Sequence, residues 1–359
     1  MIKKSRIIIL LFSLLLSVGV NANTTEAAPA KEEGGKDVAK EVVEHIMHHV
    51  ADANENHITT FGGHHITMPL PCILVNKETK KVSVFMSSVF HHSADGTHEG
   101  YKMEDNRVVD AATGKRDTFI DLSITKNVFN MMLGFIILAI VFFSIKKSYD
   151  KRKGQAPKGL QSFMEPVIQY LSEDLVRPIL GDKSDRYMPY LLSVFFFILI
   201  NNLLGLVPFI GGINSSGNIS FTFVLAFCSF LLINLSGNKH YWQHIFAMPG
   251  VPKWVLVILT PIELLGVFLK PGVLMLRLFG NITGGHIAVL SIVSLIFIMG
   301  KMGTSIGGAT AGGVIAIPIL LFVNAMELFV AFLQAYVFTL LSTIFIGAAI
   351  EEHHHAEHH

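Results

Sequence analysis

The feature that most constrains this chain is a series of long apolar runs between residues 126 and 350. A helix needs about 20 consecutive apolar residues, with a range of roughly 17–25, to cross the hydrocarbon core of a bilayer. The runs that approach or exceed this length are Val128–Ile145, Met188–Phe209, Ile219–Leu235, Pro252–Met299 and Gly312–Ile350. The sequence therefore predicts an all-α polytopic membrane protein with five spans over residues 126–352.

Composition agrees with a membrane location. The chain is 51% hydrophobic and only 15% charged, whereas soluble proteins average about 25% charged residues. Its formal net charge of +1 offers no basic excess for a nucleic-acid backbone. We expect membrane lipid, and no nucleic acid, among its partners.

The last two apolar runs are longer than a perpendicular helix requires, and they predict a long C-terminal helical hairpin. Its helices are expected to be strongly tilted, broken, or partly outside the hydrocarbon. Pro261, Pro271 and Pro318 are the predicted breaks, because proline removes an intrahelical hydrogen bond. Lys301 and the glycine-rich stretch Gly303–Gly313 form the predicted connection.

Residues 1–22 have the pattern of a secretory signal peptide. Basic residues up to Arg6 precede the apolar run Ile7–Val20, and the small residue Ala22 ends a cleavage site. An uncleaved first membrane helix is the alternative. Cleavage would place the new N-terminus in the periplasm.

A basic cluster after the first span also indicates that the residues before this span lie in the periplasm. By the positive-inside rule such a cluster marks the cytoplasmic side, which also makes the His-rich tail 353–359 cytoplasmic. Residues 159–183 are too polar to span and predict an amphipathic helix along the cytoplasmic interface. The cluster consists of Lys146, Lys147, Lys151, Arg152, Lys153 and Lys158.

Residues 23–125 form a polar, His-rich exported segment. Val38–Val50 predicts a short amphipathic helix, and Ile73–Val75 with Lys81–Phe85 predicts a β-hairpin around Asn76–Lys80. The segment is expected to pack against the membrane part or a neighbouring subunit.

Histidine and cysteine do not predict a metal site. The nine histidines from His45 to His98 are irregularly spaced, without HExxH or CxxC, and favour a solvated, pH-sensitive surface. The His-rich tail offers only adventitious metal binding. Cys72 lies in the polar segment and Cys228 in an apolar span, so we expect no disulfide between them.

Polar residues recur along one side of the fourth apolar run. Glu263, Lys270, Arg277 and Gly284 follow one another at steps of seven, and Asn281 is four residues after Arg277. On a helix they share a face, and ionisable residues in a span usually face protein or an aqueous cavity. The pattern favours a surface that contacts another protein's helix. The plainer alternatives are a structural hydrogen bond for Asn281 and snorkelling for Glu263 and Lys270.

A second polar group is predicted at another depth. His286 follows Arg277 by nine residues, so it lies about 180° around the helix and about 13 Å further along. In a hairpin, Glu327 would approach His286, and Gln334 would approach Arg277, with Asn324 nearby. Because histidine titrates near neutral pH, His286 and Glu327 predict a proton relay.

The residues around the arginine carry a family resemblance. Leu276-Arg277-Leu278-Phe279-Gly280-Asn281 resembles the signature of subunit a of the F-type ATP synthase. Asn202–Pro208 resembles that family's motif near the outer end of its second span, and Leu333-Gln334-Ala335 agrees with its last helix. The similarity covers residues 126–352. The segment 23–125 is longer than the family's usual exported N-terminus.

The resemblance implies a non-catalytic, proton-conducting stator in the cell inner membrane, without a cofactor or an ATP-hydrolysis site. Its partners would be a rotating ring of c subunits, each with one carboxylate, and the subunit b peripheral stalk. Arg277 would be the carboxylate's partner and a barrier to proton leak. The outer proton path would contain His286, Glu327, Asn281 and Gln334, and the inner path Glu263.

The sequence also shows departures from parts of this family. Some bacterial members have an acidic residue at position 286 and histidine at position 327, and this chain exchanges the two, as mitochondrial members do. Gly266 and Val273 replace small polar residues of some members, which leaves the inner path less defined.

Two other classes of membrane protein are alternatives to this reading of the sequence. In a secondary transporter, Arg277 would bind an anionic substrate, but no internal repeat typical of transporters is visible. An intramembrane metalloprotease would require a motif such as HExxH, which the chain does not contain.

Overall fold

A computed structural model of the chain describes residues 52–61, 64–93, 95–104, 107–152, 155–207, 215–246, 248, 251–300 and 305–351. It divides into two compact units. The first contains the residues up to Lys126 and Ala288–Phe322, and the second Asn127–Val207, Gly212–Ile287 and residues from Val323 onward. The predicted signal peptide, the predicted helix Val38–Val50 and the tail 353–359 lie outside the described residues.

The described part of the polar segment folds into three antiparallel sheets, with strand orders β1-β2, β4-β3-β8 and β5-β6-β7. A four-residue helix, α1 (Val89–His92), follows the fourth strand. The strands are β1 (Glu55–Phe61), β2 (His64–Pro69), β3 (Pro71–Asn76), β4 (Val82–Met86), β5 (Thr97–His98), β6 (Tyr101–Glu104), β7 (Arg107–Asp110) and β8 (Phe119–Asp121).

The predicted β-hairpin is confirmed by the antiparallel pairing of β3 with β4. Asn76 closes its turn, because the Oδ1 atom accepts hydrogen bonds from the backbone N–H groups of Glu78 at 2.9 Å and Thr79 at 3.0 Å. Cys72, on the inner face of β3, is buried in the apolar core of this segment. Burial raises the pKa of its thiol to about 11. Cys72 and Cys228 are both free, as predicted.

Among the residues that the structure describes, five helical segments are long and apolar enough to cross a membrane, which confirms the predicted number of spans. One of them, Leu160–Gly205, joins α3, α4 and α5 through a π-helical turn and a 3₁₀ turn, and it includes the predicted polar helix. In chain order the helices are α2 (Lys126–Lys151), α3 (Leu160–Gln169), α4 (Arg177–Leu180), α5 (Ser184–Gly205), α6 (Ile219–Ser236), α7 (Lys239–Phe246), α8 (Lys253–Met299) and α9 (Ile306–Ile350).

The two longest helices are unbroken, so the breaks predicted at Pro261, Pro271 and Pro318 are wrong. The helices α8 and α9 contain 47 and 45 residues, so each is about 70 Å long at 1.5 Å per residue. Each proline removes one intrahelical bond, whereas a lipid-exposed loop would leave several backbone groups unpaired. Both helices must therefore tilt strongly or extend beyond a hydrocarbon core of about 30 Å.

The prediction that Gly303–Gly313 forms a loop is also wrong for its described residues, because α9 already begins at Ile306. The glycines instead permit close packing against the end of α8. A Cβ atom at Gly312 would lie 3.1 Å from the Cβ of Met299, and one at Gly308 would overlap the carbonyl oxygen of Met299. Glycine is required here by helix contact rather than by chain flexibility.

This contact predicts opposite results for two adjacent substitutions. Gly308→Ala should lower the thermal unfolding midpoint of the detergent-purified complex, because the new methyl group meets the Met299 backbone. Gly307→Ala has open space around its Cβ position and gains helix propensity of up to about 1 kcal/mol, so it should leave the midpoint unchanged or raise it. Equal midpoints for the two variants would contradict the packing described.

The C-terminal end of α9 is anchored within the second unit. The carbonyl oxygen of Ile350 accepts hydrogen bonds from Lys183 Nζ at 3.2 Å and Asn238 Nδ2 at 2.8 Å. These donors satisfy a helix-terminal carbonyl, and the lysine charge complements the helix dipole. Buried residues from α5, α8 and α9, including Phe195, Leu278 and Ile346, form one core with this end.

Candidate functional site

One side of α8 is buried along a continuous apolar line. Val267, Leu274, Leu278 and Ile282 are all buried, at intervals of seven, four and four residues, so they lie on one face of the helix. Their packing fixes the rotation of α8 about its axis and therefore determines which residues face outward.

The outward face carries the arginine. Arg277, Gly280, Asn281 and Gly284, which we call the Arg277 face, are all exposed. A Cβ atom built at Gly280 or Gly284 would have no neighbour within 4 Å. Small residues allow a second helix to approach closely, so this face has room for a helix of another chain beside a permanent positive charge.

Glu263 belongs to a polar group that includes two residues not predicted from the sequence. Burial, and secondarily the negative charge of Glu263, raise the pKa of Tyr241, and the Tyr241 hydroxyl donates to Asn234 Oδ1 at 3.4 Å. These residues come from α6, α7 and α8. Lys270, between Glu263 and Arg277, places its Nζ 5.5 Å from the ring centroid of Phe345.

The hairpin of α8 and α9 brings Glu327 beside the residue that precedes His286. A Cβ atom at Gly285 would lie 3.2 Å from Glu327 Oε1, so glycine leaves space for the carboxylate. Both His286 and Glu327 are half-buried. Gln334, seven residues after Glu327 on α9, is buried. Asn324 is exposed.

Three further polar residues lie close to His286 and Glu327, either in sequence or in space: Asn202, Ser216 and Thr283. Ser216 Oγ donates to Asn202 Oδ1 at 2.6 Å, and Asn202 Nδ2 donates to the carbonyl of Ala331, one helical turn after Glu327, at 3.2 Å. Thr283 Oγ1 donates to the Gly217 carbonyl at 3.5 Å. Asn202 lies in the Asn202–Pro208 motif, which was its only signal in the sequence.

His91, one of the histidines of the polar segment, lies next to a carboxylate. His91 Nε2 lies 2.7 Å from Glu55 Oε2. Among the residues that the structure describes, no three His, Cys, Asp or Glu side chains are grouped so that they could hold a metal ion.

Two family models match the chain. Residues 128–347 match the ATP synthase A chain, and residues 45–130, which contain the β-sheet segment, match a domain of unknown function, DUF8433. The first match covers all five long helices, either whole or in large part.

Curated relatives agree with the match to the ATP synthase A chain. The chain is 41% identical over 235 residues to ATP synthase subunit a 2 of Chlorobaculum tepidum, and that alignment spans 64% of each protein. It is 34% identical over 341 residues to ATP synthase subunit a of an Anaeromyxobacter species, covering 92% of this chain and 75% of the relative. It is 31% identical over 366 residues to ATP synthase subunit a 2 of Prosthecochloris aestuarii, covering 98% of this chain and 94% of the relative. This multi-pass membrane protein belongs to the family of subunit a of the F-type ATP synthase.

Proposed function

We propose that this chain is the proton-conducting stator of an F-type ATP synthase and that the Arg277 face opposes the ring of c subunits. The observation that carries this proposal is the exposed arginine beside glycines with no neighbouring atoms. An arginine at the centre of a bilayer costs about 2.5–3.5 kcal/mol on insertion scales, and a carboxylate on a passing c subunit would offset that cost.

The outer half-channel leads past His286 and Glu327. Protons enter from the periplasm, pass the polar group that also includes Asn202 and Thr283, and reach the ring near Asn281 and Gln334. The proximity of the Glu327 carboxylate to Gly285 supports a relay between the two titratable side chains. A protonated, neutral ring carboxylate then rotates into lipid.

The inner half-channel starts at Glu263. After nearly a full turn, a ring carboxylate releases its proton towards the cytoplasm past Glu263, where Tyr241 and Asn234 provide further polar groups. Each unit charge that crosses a potential of 100 mV contributes about 2.3 kcal/mol, so several protons are needed for each ATP.

Arg277 separates the two paths. Its guanidinium remains charged at every physiological pH, so it favours the deprotonated carboxylate and repels a proton that would move directly between the half-channels. The peripheral stalk of subunit b holds the chain against the ring. The signal peptide, the periplasmic segment 23–125 and the cytoplasmic C-terminus complete the proposed arrangement in the inner membrane.

A cross-linking experiment tests which face of α8 opposes the ring. In the assembled complex with Cys228→Ser, Gly284→Cys should form a disulfide under mild oxidation with a cysteine placed one helical turn from the c-subunit carboxylate. Thr283→Cys is the matched control, because it is one residue away and rotated by about 100° towards the loop at Gly217. Equal cross-linking of the two variants, or preference for position 283, would contradict the proposed interface.

A further inference from the structure

The sheet β4-β3-β8 has an apolar outer face. Because side chains alternate along a strand, the neighbours of the core residues Cys72, Leu74 and Phe119 point away from the core. Two of these neighbours, Val84 and Leu122, are 66% and 60% exposed. We call this surface the apolar sheet face, and it consists of Ile73, Val75, Val82, Val84, Met86, Ile120 and Leu122.

This pattern is the reverse of that in a sheet that borders water. Antiparallel sheets with one solvated face usually place apolar residues inward and polar residues outward. Strand β4 buries Ser83 and exposes Val82 and Val84. In β6 of the neighbouring sheet, by contrast, Lys102 and Glu104 alternate with core residues and form an ion pair at 3.1 Å. A contiguous exposed apolar patch marks a contact with a membrane or with another protein.

The chain connects the apolar sheet face directly to the first membrane span. After β8, the backbone N–H groups of Leu122 and Ile124 donate to carbonyls of β3 at 2.9 and 3.1 Å. The N–H of Lys126, the first residue of α2, donates to the carbonyl of Ala53 at 2.9 Å within the same compact unit. Four residues of chain reach at most about 14 Å, so Leu122 lies within that distance of the point where the span begins.

The chemistry of the face favours phospholipid over a protein partner. Protein interfaces are enriched in aromatic residues and arginine, and they contain about one hydrogen bond per 100–200 Å². The seven side chains of the apolar sheet face include no aromatic ring, no hydroxyl or amide group and no charge. Such a surface matches hydrocarbon and offers a protein partner little that is specific.

Lysines border the end of the face that is distant from α2. Lys77, Lys80 and Lys81 are exposed in the turn between β3 and β4, together with one acidic residue, Glu78. Lys81 also pairs with Glu99 at 3.4 Å. Lysine stems can lie along apolar surface while the ammonium groups reach polar headgroups, so this border is suited to a membrane surface.

We propose that the apolar sheet face lies on the membrane, on the side where α2 begins, with its side chains inserted at the boundary between phospholipid headgroups and acyl chains. Apolar surface stabilises such interfacial binding in proportion to the area buried. The polar segment is thereby held against the membrane by lipid. This inference requires that α2 spans the membrane, and it is independent of the proposed proton paths.

Photo-crosslinking in the whole ATP synthase tests the proposal. The complex is reconstituted into liposomes of phosphatidylethanolamine and phosphatidylglycerol, with p-benzoylphenylalanine in place of Val84. The matched control carries the same probe in place of Glu104, which is also an exposed strand residue. After irradiation, mass spectrometry of the isolated subunit should find phospholipid adducts for the probe at Val84, and none above the unirradiated level for the probe at Glu104.

A charge placed on the face provides a second readout. With the probe in place of Ile120, Val84→Glu should lower the yield of phospholipid adducts, because a carboxylate is costly to insert into lipid. Thr97→Glu, on β5 directly opposite Lys102, should leave that yield unchanged.

Three results would overturn the proposal. The first is a probe at Val84 that crosslinks to another protein chain or to residues 23–51 of this chain, which would make protein the occupant. The second is equal adduct yields at Val84 and Glu104, which would indicate general proximity to lipid. The third is a probe at Val84 that forms no adduct at all, which would indicate a solvated face.

Discussion

Replacing Arg277 with alanine is expected to abolish ATP-driven proton pumping by the assembled complex in inverted membrane vesicles. The variant removes the only charge of the Arg277 face, so a deprotonated ring carboxylate would enter the interface unpaired. Removing one partner of a buried ion pair costs about 3–5 kcal/mol, and each 1.36 kcal/mol on a barrier changes a rate tenfold. The pumping rate, followed by a pH-sensitive dye, should fall by roughly 150-fold to 5,000-fold.

Lys270→Ala is the matched control for this experiment. Lys270 is also a cation of α8, seven residues before Arg277, but its Nζ lies near the ring of Phe345, outside the Arg277 face as defined here. Its loss should leave pumping close to the wild-type rate. Comparable loss in Lys270→Ala would show that charge along α8, rather than the position of Arg277, governs pumping.

The second large effect is expected for substitutions of His286 and Glu327. Each single substitution, His286→Ala or Glu327→Ala, should reduce pumping by at least about 10-fold, since positioned proton-transfer groups typically contribute 10²–10⁴-fold. The double variant His286→Glu with Glu327→His keeps one acid and one imidazole beside Gly285. It should therefore pump faster than either single variant, measured in the same vesicles.

A double variant that pumps no faster than the better of the two single variants would contradict the pairing. Immunodetection of subunit a in the vesicles controls for assembly, because a poorly assembled complex would also pump slowly. Rates are compared per assembled complex.

The sequence predicted the parts of this molecule that depend on local pattern. Span number follows from hydrophobic length, and the exposure of Arg277, Asn281 and Gly284 on one face agrees with the period of 3.6 residues. The β3–β4 hairpin was predictable because Asn76 can close its own turn. These features depend only on residues that are close to one another in the sequence.

The errors and omissions arose from contacts between distant residues. Pro271 appeared to be a helix break because propensity alone ignores the cost of unpaired backbone groups in lipid. Gly308 was assigned to a loop because its need for close contact with Met299 is invisible in a single sequence. The proximity of Tyr241 to Glu263 was not predicted, because it depends on how three separate helices pack together.

Passive proton flux through the Arg277→Ala complex tests most directly whether this arginine separates two half-channels. Vesicles that carry the complex are given a pH gradient without nucleotide, and the decay of the gradient is recorded. The gradient should decay faster in Arg277→Ala than in the wild type, and adding Glu327→Gln should slow the decay again by interrupting the proposed outer path. Vesicles with Arg277→Ala that hold the gradient as long as the wild type would contradict the separation of the two paths.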